Sequence, residues 1–264
     1  MKLPKPDSPV YSTFVLVVTA AILTAAVLLT DRKDITSAAV VLSAMILFLA
    51  GVYIFTFSKK EPIDGRISAL LPVQGSINIC RIVADLGISG YSWFLPAGYT
   101  EDNTTMQYLP VSEYHGEKLT GGTFVSGKGG SGVLLPPSGE TIMSELKARY
   151  SLTIPDTDEE IAVCIREIGE ELLEVADQVR VTVNDESFTV RMVNFKLADG
   201  CHQIEKESPA CCMIYPCPVC SLYAMVLAEG RKAPLQIERC RVIKNKPEIE
   251  TIFSLLPETS ASEV

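Results

Sequence analysis

The chain has 264 residues, 47% of them hydrophobic, and carries 23 Lys and Arg against 32 Asp and Glu, for a formal net charge of −9. That length can bury a sizeable core, but the acidic balance opposes association with phosphate backbones and anionic lipid heads, so nucleic acid is excluded as an expected partner. Eight cysteines without the even spacing of a disulfide framework suit a reducing compartment.

The first sixty residues differ in composition from the rest. Tyr11 to Thr30 and Ile35 to Phe57 contain no charged residue. A hydrocarbon slab needs about 20 helical residues to cross it, and each stretch is long enough. The first is longer than the apolar part of a cleaved signal peptide, typically about 7–15 residues, so it reads as retained. Residues 1–60 are therefore expected to form a transmembrane hairpin, with helices at about 11–30 and 35–57. Ala21 and Ala25 are expected to pack near Ala39 and Ser43, as small residues do where helices meet in lipid. Lys2, Lys5, Lys59, Lys60 and Arg66 flank the termini, against Arg32 and Lys33 in the connecting loop. That bias predicts a two-pass protein of the cell membrane with both termini cytoplasmic.

Residues 61–75 read as a juxtamembrane linker, broken by Pro62 and Gly65. Residues 76–256 read as a soluble domain. Ile79, Val83 and Leu86 space a helix from Ser76 that stops at Gly87, and Tyr91 to Leu95 reads as a buried strand carrying Trp93, the one tryptophan, in the core. Met106 to Val111, Thr123 to Ser126 and Gly132 to Leu135 read as shorter strands. Gly122 to Gly129 matches a phosphate-loop pattern up to Lys128, but Gly129 stands where a Ser or Thr hydroxyl must reach magnesium, and no helix follows. A glycine-rich hairpin turn is expected instead.

Ser138 is expected to cap a helix that runs to about Tyr150. Thr157 to Glu160 has the form of a capping box, and Ile161, Ile165, Ile168, Leu172 and Val175 extend one apolar face to about Asp177. Glu159, Glu160, Glu170 and Glu171 fall on the opposite, solvated face. Alternation in Val179 to Val183 and Phe188 to Met192 predicts a hairpin. Pro218 to Glu229 reads as a helix closed by Gly230, followed by a strand from Leu235 to Ile243. Residues 257–264 read as a disordered tail. Helices and strands in this irregular order predict an α+β soluble domain preceded by a two-helix transmembrane hairpin.

The chemically suggestive region is the cysteine cluster: Cys201, His202, Cys211, Cys212, Cys217 and Cys220, with Cys240 further on. As zinc or iron-sulfur ligands they offer one clean pair, Cys217 and Cys220, and an ambiguous second pair drawn from Cys201, His202, Cys211 and Cys212. As a redox dithiol, Cys217-Pro218-Val219-Cys220 opens a helix whose N-terminus favours the Cys217 thiolate. The motif resembles the active site of glutaredoxin-type proteins over about fifteen residues, although the sequence after the helix is too short for the sheet such a fold requires. As plain buried thiols, the same residues behave as small hydrophobes. With His115 and His202 the only histidines and no GxSxG, HExxH or paired DxD motif, classical catalysis has little support.

The membrane hairpin, Ile77 to Pro96 with its Gly-Tyr-Ser-Trp-Phe-Leu-Pro end, Gly132 to Glu140 and Pro216 to Ser221 together resemble a family of uncharacterised archaeal membrane proteins over nearly the whole chain. That resemblance implies no known activity. The expected function is a membrane-anchored cytoplasmic sensing or interaction domain, not an enzyme, partnered by the lipid bilayer and by a second copy or another membrane protein. The alternative is a thiol redox or metal protein that uses Cys217 and Cys220.

Overall fold

The computed structural model describes residues 9–30, 34–57, 64–88, 90–101, 103–127, 130–243 and 246–256. The charged flanks at Lys2, Lys5, Arg32, Lys33, Lys59 and Lys60, the loop residues Lys128 and Gly129, and the tail from residue 257 lie outside them. The chain divides into two compact units, Met1–Pro62 and Ile63–Val264.

The first unit is a helix pair, α1 (Pro9–Thr30) and α2 (Ile35–Phe57). Both are apolar enough and long enough to span a membrane. Helices that are hydrophobic all round need an apolar environment. The buried contacts between them are at Ala20, Ala44 and Gly51, not at Ala21, Ala25, Ala39 and Ser43. The small-residue rule holds, but the contact stripe is rotated by about one residue, or 100° of helix. At Gly51 an added Cβ would lie 3.3 Å from Val17 and 3.4 Å from Leu16.

The second unit is α+β. It begins with α3 (Gly65–Leu70) and α4 (Val73–Asp85). Most of the segment expected as linker is thus helical: Asp64 caps α3 by accepting from the Arg66 N–H at 2.8 Å, and Pro72 sits at the N-cap of α4. Breaker residues here mark helix starts, which is where proline is tolerated.

Among the described residues eight strands form one antiparallel sheet: β1 (Trp93–Leu95), β2 (Met106–Pro110), β3 (Phe124–Gly127), β4 (Gly130–Leu135), β5 (Gln178–Asn184), β6 (Ser187–Val193), β7 (Leu235–Val242) and β8 (Ile249–Leu255). Their order is β3-β4-β2-β1-β7-β8-β6-β5. The glycine-rich segment is a hairpin, with Gly127 opposite Gly130. The expected hairpin of β5 and β6 is present with Val181 opposite Val190. Trp93 is half-buried, packed on the edge of a smaller core around Tyr108 and Tyr114. The strand β8 was not anticipated.

The remaining helices are α5 (Glu140–Tyr150), α6 (Asp158–Glu167), α7 (Ala198–Glu207), α8 (Cys211–Ile214) and α9 (Pro218–Arg231). The long helix expected to reach Asp177 stops at Glu167 and passes into a single π-helical turn, Ile168–Leu172. Gly169 lies in that turn, where a Cβ would strike the Tyr223 hydroxyl and Val179. Glu170 is half-buried and not solvated, accepting from the Val179 N–H at 2.6 Å to start β5. The capping box is also altered: Thr157 Oγ1 donates to Glu160 Oε2 at 2.9 Å instead of accepting from the backbone.

The principal core surrounds α9, in which Val219 through Ala228 are all buried. It packs against β1 and β7 as well as α5 and α6. Gly230 does not end this helix; Lys232, in the left-handed region at φ 54°, does. Glycine is required at 230 because a Cβ there would meet the Pro155 carbonyl oxygen at 2.8 Å and Ile161 at 2.6 Å.

Candidate functional site

The start of α9 is fixed from several sides. Cys217 is its N-cap and Pro218 its first residue, with φ already set for a helix. Ser138 does not cap α5. Its hydroxyl donates to the Pro216 carbonyl at 2.8 Å, and Gly139, the true N-cap, donates its N–H to Ser221 Oγ at 3.1 Å. Cys217 and Cys220 therefore sit on a turn with little freedom to move, and both are buried.

A bulge in β7 brings another cysteine to them. Up to Ile237 the inward residues of β7 are odd-numbered, Leu235 and Ile237. The register then slips: Ile237 pairs with Phe253, and Arg239 pairs with Ile252, leaving Glu238 as the extra residue. Inserting one residue reverses which face each later side chain takes. Arg239 and Arg241 stay exposed, and Cys240 turns toward Thr251 of β8. The Thr251 hydroxyl lies 3.7 Å from Cys240 Sγ and 3.7 Å from Cys220 Sγ. Neither Cys240 nor Thr251 was among the candidates from sequence. Strict alternation from Leu235 would have placed Cys240 on the wrong face, and no local signal marks the bulge.

The thiols then form a string. Each thiol interacts electrostatically with the next, Cys201 of α7 with Cys217, Cys217 with Cys220, Cys220 with Cys240 and Cys240 with Cys212 of α8, and the Thr251 hydroxyl lies between Cys220 of α9 and Cys240 of β7. The chemistry alternates along it. Cys217 is held well below the ordinary thiol range, first by Cys201 and Cys220 and then by the backbone N–H groups of Cys220 and Val219 at the helix start. Cys240 is lowered likewise by Cys212, Cys220 and Thr251. Cys201, Cys220 and Cys212, the donors, are raised by those interactions and then by burial. Hydrogen bonding to a thiolate favours it, while desolvation disfavours it, so acceptors and donors separate in opposite directions.

The structure thus brings together four of the sequence candidates, Cys201, Cys212, Cys217 and Cys220, and adds Cys240. It separates two. Cys211 forms a disulfide with Cys80 of α4, with their Cα atoms 5.8 Å apart, so it is not a free ligand and the chain is not one of free thiols throughout. His202, half-buried on α7, takes no part in the hydrogen bonds that set these thiols. Among the described residues, no group of three or more His, Cys, Asp or Glu side chains is placed to hold a metal ion. Cys164 of α6 lies apart, pushed up to about 11 by burial and by Glu167. Adjacent thiols with one polarised toward thiolate can be oxidised to a disulfide, and this is the chemistry the arrangement permits.

No curated protein and no solved structure matches the chain. Residues 10–250 match the family described as a domain of unknown function, DUF7982. The chain therefore belongs to that family.

Proposed function

We propose that this protein is a membrane-anchored sensing module, its soluble unit cytoplasmic, in which the buried thiol string is the responsive element. The observation that carries the reading is the buried thiol group at the start of α9, with Cys217 at the N-cap, Cys220 on the first turn, and the Thr251 hydroxyl 3.7 Å from the sulfurs of both Cys220 and Cys240. The chemical step is a two-electron oxidation. The Cys217 thiolate attacks a peroxide oxygen to give a sulfenic acid and hydroxide. The Cys220 thiol then condenses with the sulfenic acid, forming the disulfide and releasing water, so that two thiols and one hydrogen peroxide yield one disulfide and two waters. Burial supports sensing over turnover: Cys217 is 8% exposed, which admits a small oxidant but not a bulky protein substrate. The helix pair anchors the module in the bilayer, both termini lie on the cytoplasmic side, and the response passes to a second copy or to another membrane protein.

The test is peptide mapping of the full chain in native membranes, exposed to hydrogen peroxide and then blocked with N-ethylmaleimide. A reductant-sensitive Cys217–Cys220 linkage in the natural chain, absent in Cys217→Ser, is the expected result. Unchanged thiols at all five string positions would overturn the reading.

A further inference from the structure

Beside the first turn of α9 a cavity of about 480 Å³ opens between α3, α5, α7 and α9, within the range of about 300–1,000 Å³ typical of small-molecule sites. No Asp, Glu, Lys, Arg or His side chain lines it. Ile142, Leu173, Val175 and Leu197 face it and are only half-buried, although each also packs on the principal core. The space is not general slackness. At its edge α7 approaches α3 so closely that a Cβ on Gly200 would collide with the Ala69 carbonyl oxygen. Interiors are otherwise filled to crystal-like density, so an apolar hollow beside so tight a contact is a feature of the fold.

We propose that this cavity binds a linear apolar chain, the hydrocarbon of a fatty acid or of a membrane lipid, with any polar head left outside. Sugars and nucleotides would find no Asp, Glu, Lys, Arg or His partner on these walls and would lose their hydration without replacement. A methylene chain loses nothing of that kind and gains burial along its length. The outer rim points the same way: α3 follows closely in sequence on α2, and it leaves Ile67, Leu70 and Leu71 exposed at 58%, 45% and 66%. Apolar surface therefore runs from the rim into the cavity, toward Cys201 and Cys217 on the inner wall. This inference concerns what fills the cavity and stands whether or not the thiols respond to peroxide.

The full chain in lipid nanodiscs provides the test. Palmitic acid with a mid-chain diazirine is added in one arm, and phosphatidylglycerol carrying the same chain is built into the disc in the other. Photolabel on the peptides around Leu197 and Val219, competed by unlabelled palmitic acid, supports the proposal. The arm that labels identifies a free acid or a bilayer lipid as the source. Filling the cavity by Val175→Trp or Leu197→Trp is expected to cut that label about tenfold. A second readout needs no variant: saturating palmitic acid should slow alkylation of Cys217 in the natural chain. Label confined to α1 and α2, label unchanged in folded filling variants, or Cys217 alkylation indifferent to palmitic acid would each overturn the proposal. So would the absence of label together with chain-to-chain cross-links at Leu71, which would seat a second copy there.

Discussion

Thr251 of β8 faces Cys240 of β7 directly across the strand register, with the threonine hydroxyl donating to the cysteine sulfur at 3.7 Å. The contact exists because Glu238 bulges out of β7 and reverses the facing of every residue after it. Replacing Thr251 by Val keeps the shape and removes the donor. Loss of a hydrogen bond to the thiolate raises the Cys240 pKa. Alkylation of Cys240, the one partly exposed thiol of the string, should then slow at neutral pH and its pH profile should move upward. An unchanged profile would show that the hydroxyl does not set this thiol.

Glu248 is held below its ordinary carboxylate range, chiefly by the hydrogen bond from Arg191, whose Nη2 lies 2.6 Å from Oε2. A depressed folded pKa means that stability is fully present above the unfolded value, about 4.3, and is lost as pH falls through the folded one. The natural chain should therefore lose urea resistance on acidification below about pH 4 more steeply than Arg191→Gln. Parallel acid profiles for the two chains would refute this account.

Gly200→Ala tests the contact between α3 and α7. In most helices Gly→Ala stabilises by about 0.4–1 kcal/mol. Here the new methyl would meet the Ala69 carbonyl, and overpacking costs about 1–3 kcal/mol. Gly75→Ala on α4 is the control, since nothing lies within 4 Å of its Cβ position. Opposite shifts in thermal midpoint are expected, down at 200 and up or level at 75. Two upward shifts would mean α3 is not tightly seated.

The Cys80–Cys211 disulfide ties α4 to α8 across 131 residues of sequence. Cross-links over long loops stabilise by about 2–4 kcal/mol, mainly by restricting the unfolded chain. Cys80→Ser should lower the denaturant midpoint under non-reducing conditions and abolish its dependence on added reductant. If natural and variant chains unfold together without reductant, the bridge contributes nothing.

Much of the fold was legible wherever one period dominated. The membrane-length helices announced themselves by uninterrupted apolarity, and β5 and β6 by strict alternation. β8 was hidden because Thr251 faces inward and Ile252 outward, the reverse of what their polarity suggests. α3 was hidden because Pro62 and Gly65 read as interruptions, while Gly65 is in fact the first residue of α3. α6 looked longer than it is because Ile168, Leu172 and Val175 keep helical spacing through a segment that Gly169 and Glu170 turn toward β5. For the site, Cys217 and Cys220 were readable as neighbours on one turn. That Cys240 joins them and Cys211 leaves for Cys80 depends on tertiary placement, which spacing does not encode.

The sheet also has a waist. β1 meets β7 at two register positions, Trp93 with Gln236 and Phe94 with Leu235, while β5 and β6 are matched along seven. The small aromatic core around Tyr108 lies on the β1 side of that narrow seam, while the large core around α9 covers it, taking Phe94 from β1 and Leu235 from β7. With only two register pairs between β1 and β7, the joint between the two four-stranded halves rests on α9, which packs on both strands. Loosening of α9 should therefore part the two halves of the sheet before either half comes apart by itself.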